Sequence, residues 1–488
     1  MNTFDPAAFA VLVALVGLVI LIASLTSGGL ERLGIPAVAL FLGVGALLGP
    51  HVLGLIDFGI DSATLGAIAT LSLVLVLFTD AMGVNFTDLK AHLGVAAIVL
   101  GPGTLLSAAL TTLAAWKLLD LPFPAAAILG AALASTDPVM MRGLLRLPEV
   151  PGAARSALRI ESGLNDVVLL PIVLVAMVFL GQGGIPDTGE LGRMLGSIFV
   201  IGPVAGAAIG FLAVKAMEWC RGWLGMRRDY ESIYVLGIAF TSYAVAQLLD
   251  ASGFMAVFAA GLTVSAASVE LCDCFHDYGE ATAEMLLLLS FIAFGASLIW
   301  TGLEVLNGPT LAVAGVALLG RTAVLALTLP RRGLDPVARR IIVWFGPRAL
   351  SSLLLVLLPI FAGLPGSERL FPVAALVVLL SVAGHGGLLA WATHGLKRGE
   401  DRAEIPALAL KLPGAELVAH PELITYEELA QLRAAGAPLR ILDVRTERGY
   451  QEARLQADGA IRVSPNNPVE SAAGLALPKN EWLVGYCA

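Results

Sequence analysis

Apolar residues fill this chain in long blocks separated by short polar breaks. A helix that crosses a membrane needs about 20 consecutive, mostly apolar residues. Blocks of that kind lie near 7–26, 36–55, 63–82, 92–116, 123–143, 160–180, 194–217, 231–250, 253–269, 283–302, 309–329, 339–360 and 370–394. They predict about thirteen transmembrane helices. The polar connections test that number. Alternate connections carry Arg32, then Lys90, then Arg142, Arg146, Arg155 and Arg159, then Arg221, Arg227 and Arg228, then Arg331, Arg332, Arg339 and Arg340, and finally Lys397 and Arg398. The opposite set holds only Lys117, Arg193 and Arg369. Basic residues concentrate in cytoplasmic loops. The N-terminus is therefore expected outside and the C-terminus inside, as an odd number of crossings requires.

Polar residues inside the apolar blocks are few and clustered. The sixth block opens with Glu161-Ser162-Gly163-Leu164-Asn165-Asp166. A carboxylate at bilayer depth costs roughly 2.5–3.5 kcal/mol on insertion scales and marks an ion or proton path. Glu161 and Asn165 share one helix face, as do Ser162 and Asp166. Thr136-Asp137-Pro138 interrupts the fifth block, and Gly346-Pro347-Arg348 the twelfth. Arg321 lies in the middle of the eleventh, and Asp80 ends the third. A proline removes a backbone donor and clashes with the preceding turn. Unwound backbone at membrane depth is tolerated only where it is buried in protein or lines a cavity. Two broken helices seven places apart predict an inverted repeat, helices 1–6 against 8–13, with the ion site at the midplane between the breaks.

These residues suggest a division of labour. Asp166 is the best candidate for a carboxylate that holds either a cation or a proton, with Asp137 opposite it. Thr136 carbonyls and the Asn165 amide oxygen would supply neutral ligands. Glu161 needs a partner at that depth, and Arg321 is the natural one; a buried pair of this kind is costly to break. Arg348 would neutralise carbonyl ends at the twelfth helix. With Glu161 paired and Asn165 neutral, one exchangeable charge remains, and exchange of one cation for one proton is electrically silent. An Asp at position 165 would add a second titrating group.

Composition narrows the class. Of 488 residues, 57% are hydrophobic and 14% charged, against about 25% charged in soluble domains. The chain is a polytopic, all-α membrane protein. The net charge of −8 and the lack of a basic stripe argue against nucleic acid. Four cysteines make no disulfide framework. Cys272, Cys274 and His276 read as a reduced cytoplasmic loop. The first apolar block reads as a spanning helix that is kept, since no basic region or cleavage site accompanies it. After Arg398 the character changes. Residues 399–419 form a charged linker. Thr425 and Glu428 have capping-box spacing. Leu439–Arg445 and Glu481–Cys487 read as strands of a small α/β cytoplasmic tail, with only about 70 residues for its core.

At these positions the chain resembles the monovalent cation:proton antiporter superfamily, in its electroneutral branch of NhaP-like and animal sodium/proton exchangers. Thr136-Asp137-Pro138, Glu161-Ser162-x-x-Asn165-Asp166, the stretch Ser252–Leu262, Gly320-Arg321 and Trp344–Arg348 stand at the family's spacing across about residues 7–396. The resemblance implies a 13-helix fold in inverted repeats with two crossing broken helices, a scaffold that forms a homodimer, and a moving six-helix core. It implies Asp166 as the carrier of ion and proton, Thr136 and Ser162 as supporting ligands, Asp137 in the crossing region, and Glu161, Asn165 and Arg321 as a stabilising cluster. Ala349 stands where the family usually continues with Gly, and Asp80 where it often has Glu. The tail, 420–488, resembles the first part of a rhodanese-like domain through Leu442-Asp443-Val444-Arg445 and Tyr486-Cys487, but without that domain's anion-binding loop beyond the cysteine. The expected function of residues 1–398 is therefore exchange of sodium, or lithium, for protons in a cell membrane, without a cofactor. Potassium/proton exchange on the same fold is the alternative. A membrane-anchored sulfurtransferase or sensor, acting through Cys487, is the alternative of another class.

Overall fold

The computed structural model describes residues 6–33, 36–84, 93–145, 150–182, 187–223, 228–267, 269–330 and 334–400. Of the C-terminal part it describes 429, 433, 438–445, 450, 456–463, 471, 475 and 482–486. The chain divides into two compact units, Met1–Arg398 and Gly399–Ala488.

The first unit is helical, and each apolar block contains helix. Among the described residues, seven helices are long and apolar enough to cross a membrane alone. They are Ala63–Met82, Leu93–Leu118, Phe123–Met141, Gly152–Gln182, Thr188–Cys220, Gly308–Thr328 and Ser367–Gly387. The pair Thr282–Ala296 and Leu298–Glu304, bent by 58°, makes an eighth if taken as one span. Shorter apolar helices fill the other blocks: Val13–Thr26, Ala37–Leu48, Ile233–Leu248, Gly253–Ala267 and Leu350–Phe361.

Several helix starts arise from local chemistry. Asn307 accepts from the Thr310 N–H at 3.0 Å, and the Thr310 hydroxyl in turn accepts from the Asn307 N–H at 3.1 Å. This reciprocal box satisfies donors that a helix start would otherwise leave orphaned. Asp335 caps Ala338 at 2.9 Å, with Pro336 at the first helical position, where its missing N–H does no harm.

The apolar block at 92–116 predicts a regular helix. Leu93–Leu118 instead carries a π segment, Val99–Leu106, around Pro102. The proline removes one donor, the wider turn absorbs its ring, and the Thr104 hydroxyl donates to the Val99 carbonyl at 3.1 Å.

Burial separates centre from periphery. The Phe123–Met141 window is 76% buried inside the protein, whereas that of Thr188–Cys220 is 28% buried. The broken helix is thus central and the latter helix outward-facing. Elsewhere small residues let backbones meet. A Cβ built on Gly45 would lie 2.8 Å from the Gly295 Cα, so Ala37–Leu48 and Val269–Ala296 pack backbone to backbone, as membrane helices with small interface residues do.

The breaks fall at the expected motifs. The first separates Phe123–Ala134 from Pro138–Leu145, the second Pro336–Trp344 from Leu350–Phe361. Pro138 does not kink a continuous helix; it opens a new one. Pro347 lies within the second break, and its carbonyl accepts from the Asp137 N–H at 3.0 Å. The extended segments of the two breaks therefore touch.

The second unit contains a parallel sheet of order β2-β1-β3, with β1 Leu439–Asp443, β2 Ile461–Arg462 and β3 Trp482–Tyr486. In register, Leu442 pairs with Ile461 and Ile441 with Val484. Buried Asp443 accepts from the Arg445 guanidinium at 2.9 and 2.5 Å and from the Tyr486 hydroxyl at 2.8 Å. These bonds, Arg445 foremost, hold its carboxyl well below the usual range, at about 2. The linker 399–419 lies outside the described residues, apart from the helical backbone of Gly399 and Glu400. So do Thr425, Glu428 and Cys487, and the side chains of Cys272, Cys274 and His276.

Candidate cation site at the crossing of two broken helices

Three elements build the site: the two broken helices and the continuous helix Gly152–Gln182. Asp166, Asn165, Glu161, Thr136, Asp137, Arg321 and Arg348 are all buried, each 2% exposed or less. Almost all have partners that can be named.

Glu161 and Arg321 form a two-pronged ion pair. Arg321 Nε donates to Glu161 Oε1 at 2.5 Å and Nη2 to Oε2 at 2.5 Å. Arg321 Nη1 also points at the Val343 carbonyl, at 3.4 Å, near the end of Pro336–Trp344. Gly346 leaves room for this guanidinium: a Cβ there would lie 2.7 Å from Nη1 and 2.9 Å from Cζ.

Asp137 is a double cap. Its Oδ1 accepts from Val139 N at 2.8 Å and Met140 N at 3.3 Å, at the start of Pro138–Leu145. Its Oδ2 accepts from Leu350 N at 2.9 Å, at the start of Leu350–Phe361. One carboxylate thus serves the positive ends of two half-helices. Arg348 does the converse. Sequence alone assigns it to carbonyls of its own helix; instead Nη1 donates to the Ala134 carbonyl, the last residue of Phe123–Ala134. Its N–H donates to Ser381 Oγ at 2.7 Å, and the side chain is wholly buried, which excludes snorkelling to a surface. Among the described residues its Nε and Nη2 have no hydrogen-bond partner.

Asn165 and Asp166 face the first break. Asn165 Nδ2 donates to Thr136 Oγ1 at 2.9 Å and to the Thr136 carbonyl at 3.2 Å. Its Oδ1 is buried without a hydrogen-bond partner among the described residues. Asp166 Oδ1 accepts from Ser135 Oγ at 2.7 Å. No cationic side chain pairs with Asp166 among the described residues. Ser162 is not drawn into this group: its hydroxyl donates to the Arg159 carbonyl at 3.2 Å. Asp80 lies beside the motif helix, its carbonyl 3.2 Å from where a Cβ on Gly163 would be.

Three participants do not stand out in the sequence. Ser135 adjoins the Thr136-Asp137-Pro138 motif, and its small polar side chain at a helix end is the available signal. Gly346 reads as part of a break, not as space for Arg321. Ser381 carries no signal, because only the fold brings it to the Arg348 backbone.

The arrangement leaves oxygen ligands beside a buried carboxylate that no cationic side chain pairs with among the described residues, while Glu161 and Arg321 form an ion pair and Asp137 and Arg348 serve helix ends. Such a centre suits reversible binding of a small cation and not covalent chemistry. No group of three or more His, Cys, Asp and Glu side chains able to hold a metal occurs among the described residues.

Known proteins agree with this reading of the fold. The family profile described as sodium/hydrogen exchanger, transmembrane, matches residues 17–395. The K(+)/H(+) antiporter NhaP of Alkalimonas amylolytica is 26% identical over 390 residues, covering 79% of this chain and 67% of that protein. The K(+)/H(+) antiporter NhaP2 of Shewanella sp. (strain MR-4) is 27% identical over 426 residues, covering 85% of this chain and 72% of that one. The solved sodium proton antiporter MjNhaP1 from Methanocaldococcus jannaschii, at pH 8, matches with a TM-score of 0.61 over 78% of this chain and 99% of its own, at 20% identity. That last likeness concerns the fold alone. The family match and the two bacterial relatives make this chain a secondary transporter and not an enzyme. This chain belongs to the sodium/hydrogen exchanger transmembrane family, whose cargo is a monovalent cation and a proton.

Proposed function

We propose that the chain exchanges one monovalent cation for one proton by alternating access, with Asp166 as the carrier. The observation that carries this reading is the contrast among the buried carboxylates. Glu161 is bound at both oxygens by Arg321, and Asp137 at both oxygens by backbone N–H groups. Asp166 has a hydroxyl donor and, among the described residues, no cationic partner. Desolvation of a charged carboxylate is relieved by a cation or by a proton, and one site cannot hold both, so the two fluxes are coupled. Asn165 Oδ1 and the oxygens of Thr136 supply neutral ligands. Asp137 and Ser162 act from their present bonds as supports, not as direct ligands.

Sodium is the first reading for the cation, in keeping with the family's description. Potassium is the second, and the names of the two bacterial relatives favour it. Residues 1–398 form the transport domain, with thirteen crossings, the N-terminus outside and the moving core built around the broken helices. The helical content of every apolar block supports this number. A homodimer is the expected assembly. Residues 399–419 are a linker and 420–488 a partial rhodanese-like unit. The parallel pairing of β1 with both neighbours suits such a unit.

Proteoliposomes with an imposed pH gradient test the proposal. Sodium, lithium and potassium are added in turn and the luminal pH is followed. Wild type should dissipate the gradient with a clear cation order, and Asp166→Asn should not. Full cation-driven proton movement in Asp166→Asn overturns the assignment of the carrier. A thiosulfate:cyanide assay with Cys487→Ser as control addresses the tail; equal background in both is expected.

A further inference from the structure

We infer that Ser135 is a positioning residue of the cation site, orienting the Asp166 carboxylate and strengthening its hold on the cation. The inference rests on the antiport reading above and deepens it.

Ser135 is the residue that ends Phe123–Ala134, in extended conformation with φ −65° and ψ 132°. Its side chain is 1% exposed. A hydroxyl has one hydrogen to donate. Here it lies toward Asp166 Oδ1, at 2.7 Å. An ionised carboxylate can only accept, so the hydroxyl's hydrogen is directed to it. Asn165 Nδ2 has two hydrogens, which go to Thr136 Oγ1 and the Thr136 carbonyl, and it stands 3.5 Å from the Ser135 oxygen.

This geometry has two consequences. Oδ1 is held by a group on the broken helix, although Asp166 itself stands on the continuous helix. The bond therefore fixes the rotamer of the acid relative to the Thr136 oxygens and leaves Oδ2 as the atom turned to the cargo. A hydroxyl that donates to a carboxylate also favours the ionised form, which is the form that binds a cation. Hydrogen bonds to charged groups are stronger than neutral ones, and losing one weakens an equilibrium by roughly tenfold or more.

The test measures transport of sodium, and separately of potassium, by the full chain in proteoliposomes at fixed pH. Ser135→Ala and Ser135→Cys, whose thiol is a weak donor, should raise the cation KM roughly tenfold. The rate at saturating cation should change by no more than about twofold, since the moving parts are intact. Ser135→Thr keeps the hydroxyl and should restore the wild-type KM. Should the Ala variant fail to fold, the near-isosteric Cys variant decides alone. Unchanged KM in Ala and Cys overturns the inference, as does a fall in maximal rate that Thr does not rescue, which marks a purely structural role. Wild-type vesicles that move no protons on adding either salt overturn the antiport reading and this inference with it. A working wild type with unaltered variants overturns this inference alone.

Discussion

The Glu161–Arg321 pair offers the sharpest prediction. Both side chains are almost fully buried, at 2% and 3% exposure, and both guanidinium–carboxylate bonds are 2.5 Å long. Removing one member leaves the other charged, desolvated and unpaired. Breaking a buried pair in this way costs about 3–5 kcal/mol, whereas replacing both members by apolar groups is often close to neutral. Gly346 packs against the Arg321 guanidinium, and Arg348 is already directed at the Ala134 carbonyl.

The experiment is a double-mutant cycle with Glu161→Leu, Arg321→Met and the two combined. Unfolding in detergent is often irreversible, so the readout is the unfolding half-life at fixed temperature. If the pair is absent from the unfolding transition state, a loss of 3 kcal/mol speeds unfolding by about a hundredfold. Each single variant should show an effect of that size, and the double variant should unfold more slowly than either single. Single variants within about threefold of wild type would refute the reasoning, as would a double variant that is worse than both. The first result would mean that water reaches the pair, the second that the side chains matter for packing and not for charge.

Neighbouring geometry supports three further predictions. Asp137→Ala removes the acceptor at two half-helix starts and should lower stability by about 1–4 kcal/mol, at 0.5–2 kcal/mol per cap; Asp137→Asn, which still accepts, should lose less, as read from the same half-lives. Gly346→Ala places a Cβ within 2.9 Å of the Arg321 guanidinium and should cost about 1–3 kcal/mol by overpacking; wild-type stability would mean that the pair can shift freely. In the tail, Asp443 titrates at about 2, below the unfolded value of about 3.9. A depressed value stabilises the folded unit above pH 4 and loses that contribution as pH falls toward 2. Pepsin cleavage of the tail in the full chain should therefore accelerate across that window, and Asp443→Asn should cleave quickly throughout it.

The sequence disclosed the elements better than their contacts. The apolar blocks locate the helices because the bilayer demands about 20 apolar residues wherever the chain crosses it. The breaks are legible because proline beside a charge at membrane depth has few other uses. The Glu161–Arg321 match is legible because each charge needs a partner and few candidates exist. The hidden part depends on three-dimensional approach. Asp137 reads from its motif as facing Asp166, yet it caps Leu350–Phe361, more than 200 positions away. Arg348 reads as serving its own helix and serves the other break. The π turn at Pro102 is hidden because its block is apolar on all sides, so there is no polar face whose phase an extra residue per turn could shift.

The crossing also bears on voltage. Each break exposes a positive helix start and a negative helix end. Asp137 answers both starts, Arg348 answers the end of Phe123–Ala134, and Arg321 leans on the end of Pro336–Trp344 while holding Glu161. Those charges have fixed partners, which on the proposed function leaves Asp166 as the exchangeable one. A carrier that takes either one cation or one proton has the same net charge in both loaded forms, so the potential does no net work on the cycle. Moving one uncompensated charge per cycle would be worth about 2.3 kcal/mol at 100 mV, a shift of about fiftyfold in the equilibrium ion ratio. Liposomes clamped at zero and at 100 mV by a permeant-anion gradient distinguish the two cases. The cation gradient balanced by a given pH gradient should be equal at both potentials. A displacement approaching fiftyfold would require a second exchangeable charge at the crossing, and Asp137 would have to leave its caps to supply it.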